Sequence, residues 1–142
     1  PTTAEVTTPG ICDVKMGLED RSVSDDQITA SSYKAEKEPK EARLDSRPDS
    51  KEVATSWQPD EDTEGQWFQV DFGESVQLTS VLTQGSGGED KWVSEFKLLY
   101  SADTRLWQFV EDKNGEAEIF SANFNDGGIV ENHLPEAVKV QK

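Results

Sequence analysis

The segment Trp67-Phe68-Gln69-Val70-Asp71-Phe72-Gly73 constrains the chain more than any other. Its alternation puts Phe68, Val70 and Phe72 on one face of a strand and Trp67, Gln69 and Asp71 on the other, and Gly73 ends the run. Val76 to Thr83, rich in β-branched residues, reads as the next strand. Glu95 to Tyr100 alternates again, with Phe96, Leu98 and Tyr100 on one side. The polar turn Ser101 to Arg105 leads into Leu106 to Val110, which completes a hairpin. Glu118 to Ala122 is a further short strand, and Gly127-Gly128 turns the chain into one that begins at Ile129 and Val130. Many short strands with frequent turn signals specify an all-β sandwich or barrel. The charged stretch Tyr33 to Glu64 contains Pro39, Pro48 and Pro59 and is assigned to loops, not to a helix.

The 142 residues suffice for one domain with one core. With 33% hydrophobic and 30% charged residues, that core leans on its aromatic residues. Phe68, Val70, Phe72, Phe96 and Leu98 are expected to point inward. Trp67 and Trp107 are expected to be largely buried, with Trp92 a core or core-edge plug. Trp57, beside Pro59 in a loop, is open to a role under a binding surface. The formal net charge of −15 repels nucleic-acid phosphates and anionic lipid on average, and suits cations, basic proteins or simple solubility. No apolar run approaches the ~20 residues of a membrane span. Nothing proposes catalysis. There is no nucleophile elbow, zinc-ligand spacing or phosphate loop, and the single histidine, His133, lies beside Asn132 and Leu134. Pro1 to Gly10 is rich in Thr and Pro and without periodicity, which fits a linker, an O-glycosylated stalk or an unstructured tail. Cys12 is the single cysteine, so no disulfide can form within these residues.

In order along the chain, Cys12, Gly17-Leu18-Glu19-Asp20, Gln27 to Ser32, Ala42-Arg43-Leu44, Trp57-Gln58-Pro59, Gln66 to Gly73, Thr83-Gln84-Gly85, Trp92-Val93, Tyr100-Ser101 and Trp107 resemble the signatures of the discoidin, or coagulation factor V/VIII type C, family. The resemblance runs from about Cys12 to Leu134. Thr104 departs from it, standing where the family usually has a hairpin glycine, and Ser121 to Asn125 is a loose version of a Gly-Asn turn. The resemblance implies a discoidin-like jelly-roll β-sandwich, akin to galactose-binding domains, over 12–142, preceded by a linker over 1–11. It also implies final strands and a closing cysteine beyond Lys142, so that the domain is C-terminally incomplete here and Cys12 pairs outside the chain.

The resemblance further implies an extracellular adhesion module, secreted or on the cell surface, with loop tips at one end of the barrel selecting the ligand. Three segments match those loops: Tyr33 to Glu41, Asp45 to Ala54 and Gly85 to Lys91. The candidate contact residues are Tyr33, Lys34, Lys37, Lys40, Arg47, Lys51, Trp57, Glu89, Asp90 and Lys91. Apart from Tyr33 these tips carry no large apolar side chain, so insertion into a phosphatidylserine membrane is not expected; burying a Leu or Phe would contribute roughly 1.5–3 kcal/mol that they lack. The lysines and Arg47 suit carboxylate or sulfate groups of a matrix protein or polyanionic glycan, against a field diluted by Glu36, Glu38, Glu41 and Asp49. No cofactor is required. A structural calcium is compatible with Asp45 and Asp49, and Asp60-Glu61-Asp62 with Glu64 is a second acidic cluster suited to weak cation capture. A calcium-assisted lectin using Tyr33 or Trp57 as a platform, or an acidic component of a calcium-rich mineralised matrix, are the alternative functions. The oligomeric state is open. Mass spectrometry of the unreduced parent protein is expected to find Cys12 in a disulfide, and a free thiol there would refute that pairing.

Overall fold

The computed structural model describes residues 14–44, 56–87 and 89–142. The linker expected over 1–11 and Cys12 lie outside them. The described residues contain only strands, turns and two short 3-10 turns, Asp25–Gln27 and Pro39–Ala42. The second begins on a proline, whose fixed φ suits a first helical position and whose missing N–H costs nothing there.

Among the described residues, eight strands pair antiparallel in four ladders. β1 (Ile28–Ala30) pairs with β2 (Phe68–Val70), Thr29 standing opposite Gln69. β3 (Val76–Gln84) pairs with β8 (Ile129–Val140), with a register shift between Leu78 and Ser80. β4 (Glu95–Phe96) pairs with β7 (Phe120–Ser121), and β5 (Leu99–Tyr100) with β6 (Gln108–Phe109). The last ladder is the hairpin expected around Ser101 to Arg105.

The two layers of the sandwich meet on Val110, Phe120 and Leu134. Leu78, Val81 and Val138 pack against this cluster from the β3–β8 ladder, and Phe96, Leu98 and Tyr100 from the other layer. Phe96 and Phe120 stack with ring centroids 5.1 Å apart. Phe96, Leu98 and Tyr100 thus serve the core as alternation required. Phe68, Val70 and Phe72, expected inside, are only half-buried and are not among the side chains packed on this cluster; Phe68 meets Trp57 with ring centroids 5.6 Å apart.

The tryptophans depart from expectation. Trp67 is 50% exposed, and Trp92 and Trp107 are each 40% exposed. Trp67 is next to the half-buried Phe68, and adjacent residues of an extended strand point to opposite faces. Likewise Val110 is buried, so Phe109 and Trp107, one and three residues earlier, fall on the outer face.

The hairpin turn is fixed by Asp103, whose carboxylate accepts from the backbone N–H of Arg105 (2.8 Å) and Leu106 (2.9 Å). It holds Thr104 at φ 66°, a left-handed conformation that a β-branched residue resists by roughly 1–2 kcal/mol. Replacing Thr104 with Gly relieves that strain but gives back part of it in unfolded-state entropy. Thr104→Gly is expected to raise the urea midpoint, by up to about 1 kcal/mol in stability at unchanged m-value. Phe120→Ala is expected to cost about 3–5 kcal/mol by the same measurement, because the cavity opens where the layers meet.

Candidate functional site

Two of the three expected loops meet at one end of the sandwich, strapped together by the segment 56–60. The Ser31 N–H donates to the Trp67 carbonyl at 2.9 Å, and Ser31 Oγ accepts from the Trp67 N–H at 3.0 Å. Ser32 Oγ accepts from the Asp60 N–H and donates to Gln66 Oε1, both at 3.0 Å. The Lys34 N–H donates to the Gln58 carbonyl (2.9 Å), and the Gln58 N–H to the Lys37 carbonyl (3.2 Å). Gln58 itself is buried. Its side-chain amide donates to the Glu89 carboxylate, and its Oε1 accepts from Lys91 Nζ at 3.4 Å. Glu89 also accepts from Lys37, and the Ser56 and Ser86 hydroxyls lie 3.0 Å apart. One buried amide therefore joins loops 31–38 and 85–91, a role with no sequence signal beyond its place between Trp57 and Pro59.

This network fixes what each candidate residue has to offer. Lys37 is committed to Glu89, and Lys40 lies 3.5 Å from Glu38. Trp57 spends its indole N–H on the Ser32 carbonyl (2.9 Å) and its ring on Phe68, so it supports the loops from beneath. Lys34 is partly buried, while Asp90 and Lys91 are exposed. Tyr33 is 49% exposed and lines an open cleft of ≈ 470 Å³ with Asp25, Asp26, Glu38, Pro39 and Lys40. Arg43, buried beneath, donates to Asp25 (2.7 Å) and to the Leu18 carbonyl (2.6 Å). That hydrogen bond holds the Asp25 carboxyl below the usual carboxylate range. Arg47, Lys51, Asp45 and Asp49 lie outside the described residues. Among the described residues no three His, Cys, Asp or Glu side chains converge to hold a metal ion, Asp60 to Glu64 included.

The turn read in the sequence at Ser121 to Asn125 and Gly127-Gly128 is a fourth one at this end, where the sequence did not place it. Asn123 is buried. Its amide donates to the carbonyls of Thr83 (3.2 Å) and Gly128 (2.8 Å), and its backbone N–H to the Val93 carbonyl (2.9 Å). Asn125 Oδ1 accepts from the N–H groups of Gly127 (3.1 Å) and Gly128 (2.7 Å). The Gly87 N–H donates to the Asp126 carbonyl, and a Cβ on Gly85 would strike the backbone of Asn125 and Asp126. The turn thus packs directly on loop 85–91. At its tip Phe124 is 77% exposed, with Val93 49% exposed alongside. Tyr33 is accordingly not the one large apolar side chain at the loop end. The signal was Asn123-Phe124-Asn125-Asp126-Gly127-Gly128, where turn-forming residues flank an aromatic that no strand can then bury.

Fold and site together define an all-β sandwich domain whose conspicuous feature is a set of hydrogen-bonded loops at one end. The F5/8 type C domain model matches residues 27–142, and the chain belongs to that family, the discoidin family. It is 33% identical to human coagulation factor VIII over 129 residues, 87% of this chain and 5% of that protein. It is 31% identical to coagulation factor V of Pseudonaja textilis over 126 residues, 84% of this chain and 8% of that one. Mouse retinoschisin is 31% identical over 130 residues, 84% of this chain and 54% of that protein. The chain thus spans under a tenth of the coagulation factors and about half of retinoschisin. Among the described residues no helix is long and apolar enough to cross a membrane.

The loop tether carries a pH signature. The hydrogen bond from Lys37, and behind it that from Gln58, hold the Glu89 carboxyl below the usual carboxylate range against the opposing effect of burial. A carboxylate with a depressed folded pKa stabilises fully above its unfolded value and loses that contribution as pH falls through the folded one. The Ser86 amide, which donates to the Lys91 carbonyl at 2.8 Å, reports on the tether. Its hydrogen-exchange protection factor is expected to hold at neutral pH and fall as the solution is acidified below the usual glutamate range. Glu89→Gln is expected to start lower and show no such step.

Proposed function

We propose that the chain is a non-catalytic, extracellular adhesion module that binds a protein of the extracellular matrix through its loop end. Family membership and likeness to coagulation factors and retinoschisin support the binding and extracellular parts of this reading. The pairing of Lys37 with Glu89 and of Lys40 with Glu38 favours a protein over a polyanionic glycan. Cations already neutralised within the loops offer sulfates little, and the −15 net charge opposes them at long range.

The cleft beside Tyr33 supports a second reading, a lectin for neutral sugars. An exposed phenol ring flanked by Asp26, Glu38 and Lys40 gives a stacking face with hydrogen-bonding neighbours, in a volume suited to a small ligand. A structural calcium held by Asp45 and Asp49 remains part of that proposal.

A solid-phase panel of matrix proteins and a glycan array, each run with calcium and with chelator, separate the readings. The adhesion reading expects saturable binding to a matrix protein and none to heparin. Neutral-glycan binding abolished by Tyr33→Ala, with no matrix protein bound, would replace it with the lectin.

A further inference from the structure

The turn that carries Phe124 is built to hold an aromatic ring in water. The buried Asn123 amide donates one N–H to the Thr83 carbonyl of β3 and the other to the Gly128 carbonyl, and the Asn125 carbonyl oxygen accepts from Gly127 and Gly128, so the backbone on either side of Phe124 is fixed. Its partner segment is equally fixed. β4 and β7 pair Glu95 with Ser121, and beyond the ladder the N–H groups of Ala122 and Asn123 donate to the carbonyls of Ser94 (2.7 Å) and Val93 (2.9 Å). Trp92 and Phe124 are the chain neighbours of this Val93–Asn123 bond. Two aromatic residues and Val93, all at least 40% exposed, thus lie on two hydrogen-bonded segments beside the loops and form an apolar ridge there. Pre-organised aromatic anchors lose little entropy on binding, which is why such residues dominate interface energetics.

Electrostatics selects what covers the ridge. Asp90 and Asp126 border it, the Asp90 N–H lying 3.4 Å from the Asp126 carboxylate, and the ridge belongs to a chain of net charge −15. An anionic lipid surface or a second copy of the chain meets repulsion there. A cationic surface is steered toward it. We infer that the Trp92–Val93–Phe124 ridge docks into an apolar pocket rimmed by Lys or Arg on a basic protein partner. This rests on the adhesion reading above and names the chemistry of its partner.

The test uses the whole chain, synthetic peptides and vesicles. A peptide alternating lysine and leucine is titrated while the Trp92 indole and Phe124 resonances are followed by NMR; glutamate–leucine and lysine–serine peptides serve as controls. The lysine–leucine peptide is expected to shift these resonances saturably, and Phe124→Ser to weaken it by about tenfold or more, the loss of one buried phenyl group. Phe124 is exposed, so the variant keeps its fold. Equal response to the glutamate–leucine peptide, shifts confined to the Asp25–Asp26 cleft, or an unchanged affinity in Phe124→Ser would overturn the inference. So would selective shifts with phosphatidylcholine or phosphatidylserine vesicles, which assign the ridge to a membrane, or self-association lost in Phe124→Ser. A matrix protein still bound by Phe124→Ser at full affinity would refute the ridge while leaving the adhesion reading intact. Loss of all matrix binding by the wild-type chain would remove that reading itself.

Discussion

The packing of Phe120 on Phe96 and Leu134 is the contact on which the rest of the molecule depends. Each ladder has two strands, and a two-stranded ladder is marginal in water. None of the four buries a face alone. The core closes the β3–β8 ladder onto the β4–β7 and β5–β6 ladders through few buried side chains, in a chain where nearly as many residues are charged as hydrophobic. The charged loops are therefore stabilised mainly by their own hydrogen bonds.

This division explains what was legible in the sequence. Period-two alternation is local, so the strands around Phe68, Phe96, Phe109 and Phe120 could be read directly, and the ordered family signatures supplied the topology. The fate of the tryptophans was not legible from residue type. Size argued for burial, whereas the phase of alternation, set by Phe68 and Val110, argued for exposure, and phase prevailed. β8 was visible only at its start. Its course through Asn132, His133, Pro135 and Glu136 looks polar and broken, and its pairing with β3 absorbs the interruption by shifting register between Leu78 and Ser80.

The loop end was half legible. Tyr33, Lys37, Glu89 and Lys91 belong to it, but sequence proximity says nothing about which charges find one another. Lys37 and Glu89, far apart in the chain, neutralise each other and share Gln58. Residues that look like free charges thus hold the loops in place, and the exposed chemistry moves to Tyr33, Trp92 and Phe124. Conformation shows the same economy. Asp90, at φ 55°, and Gly85 are shaped to receive the turn at Asn125 and Asp126.

The long ladder has a consequence in time. Val76 pairs with Val140 and Gln84 with Ile129, so β3 waits for a strand about fifty residues further along the chain. The connecting segments supply most of the core, and none of the intervening hairpins is stable alone. Closure entropy must be met before these distant pairs contribute, which places such topologies among slow folders, on the order of milliseconds to seconds. Until β8 arrives, the inward face of β3 is open to water. On a ribosome β3 emerges before its partner, and during that interval the chain's excess negative charge opposes association of neighbouring nascent copies.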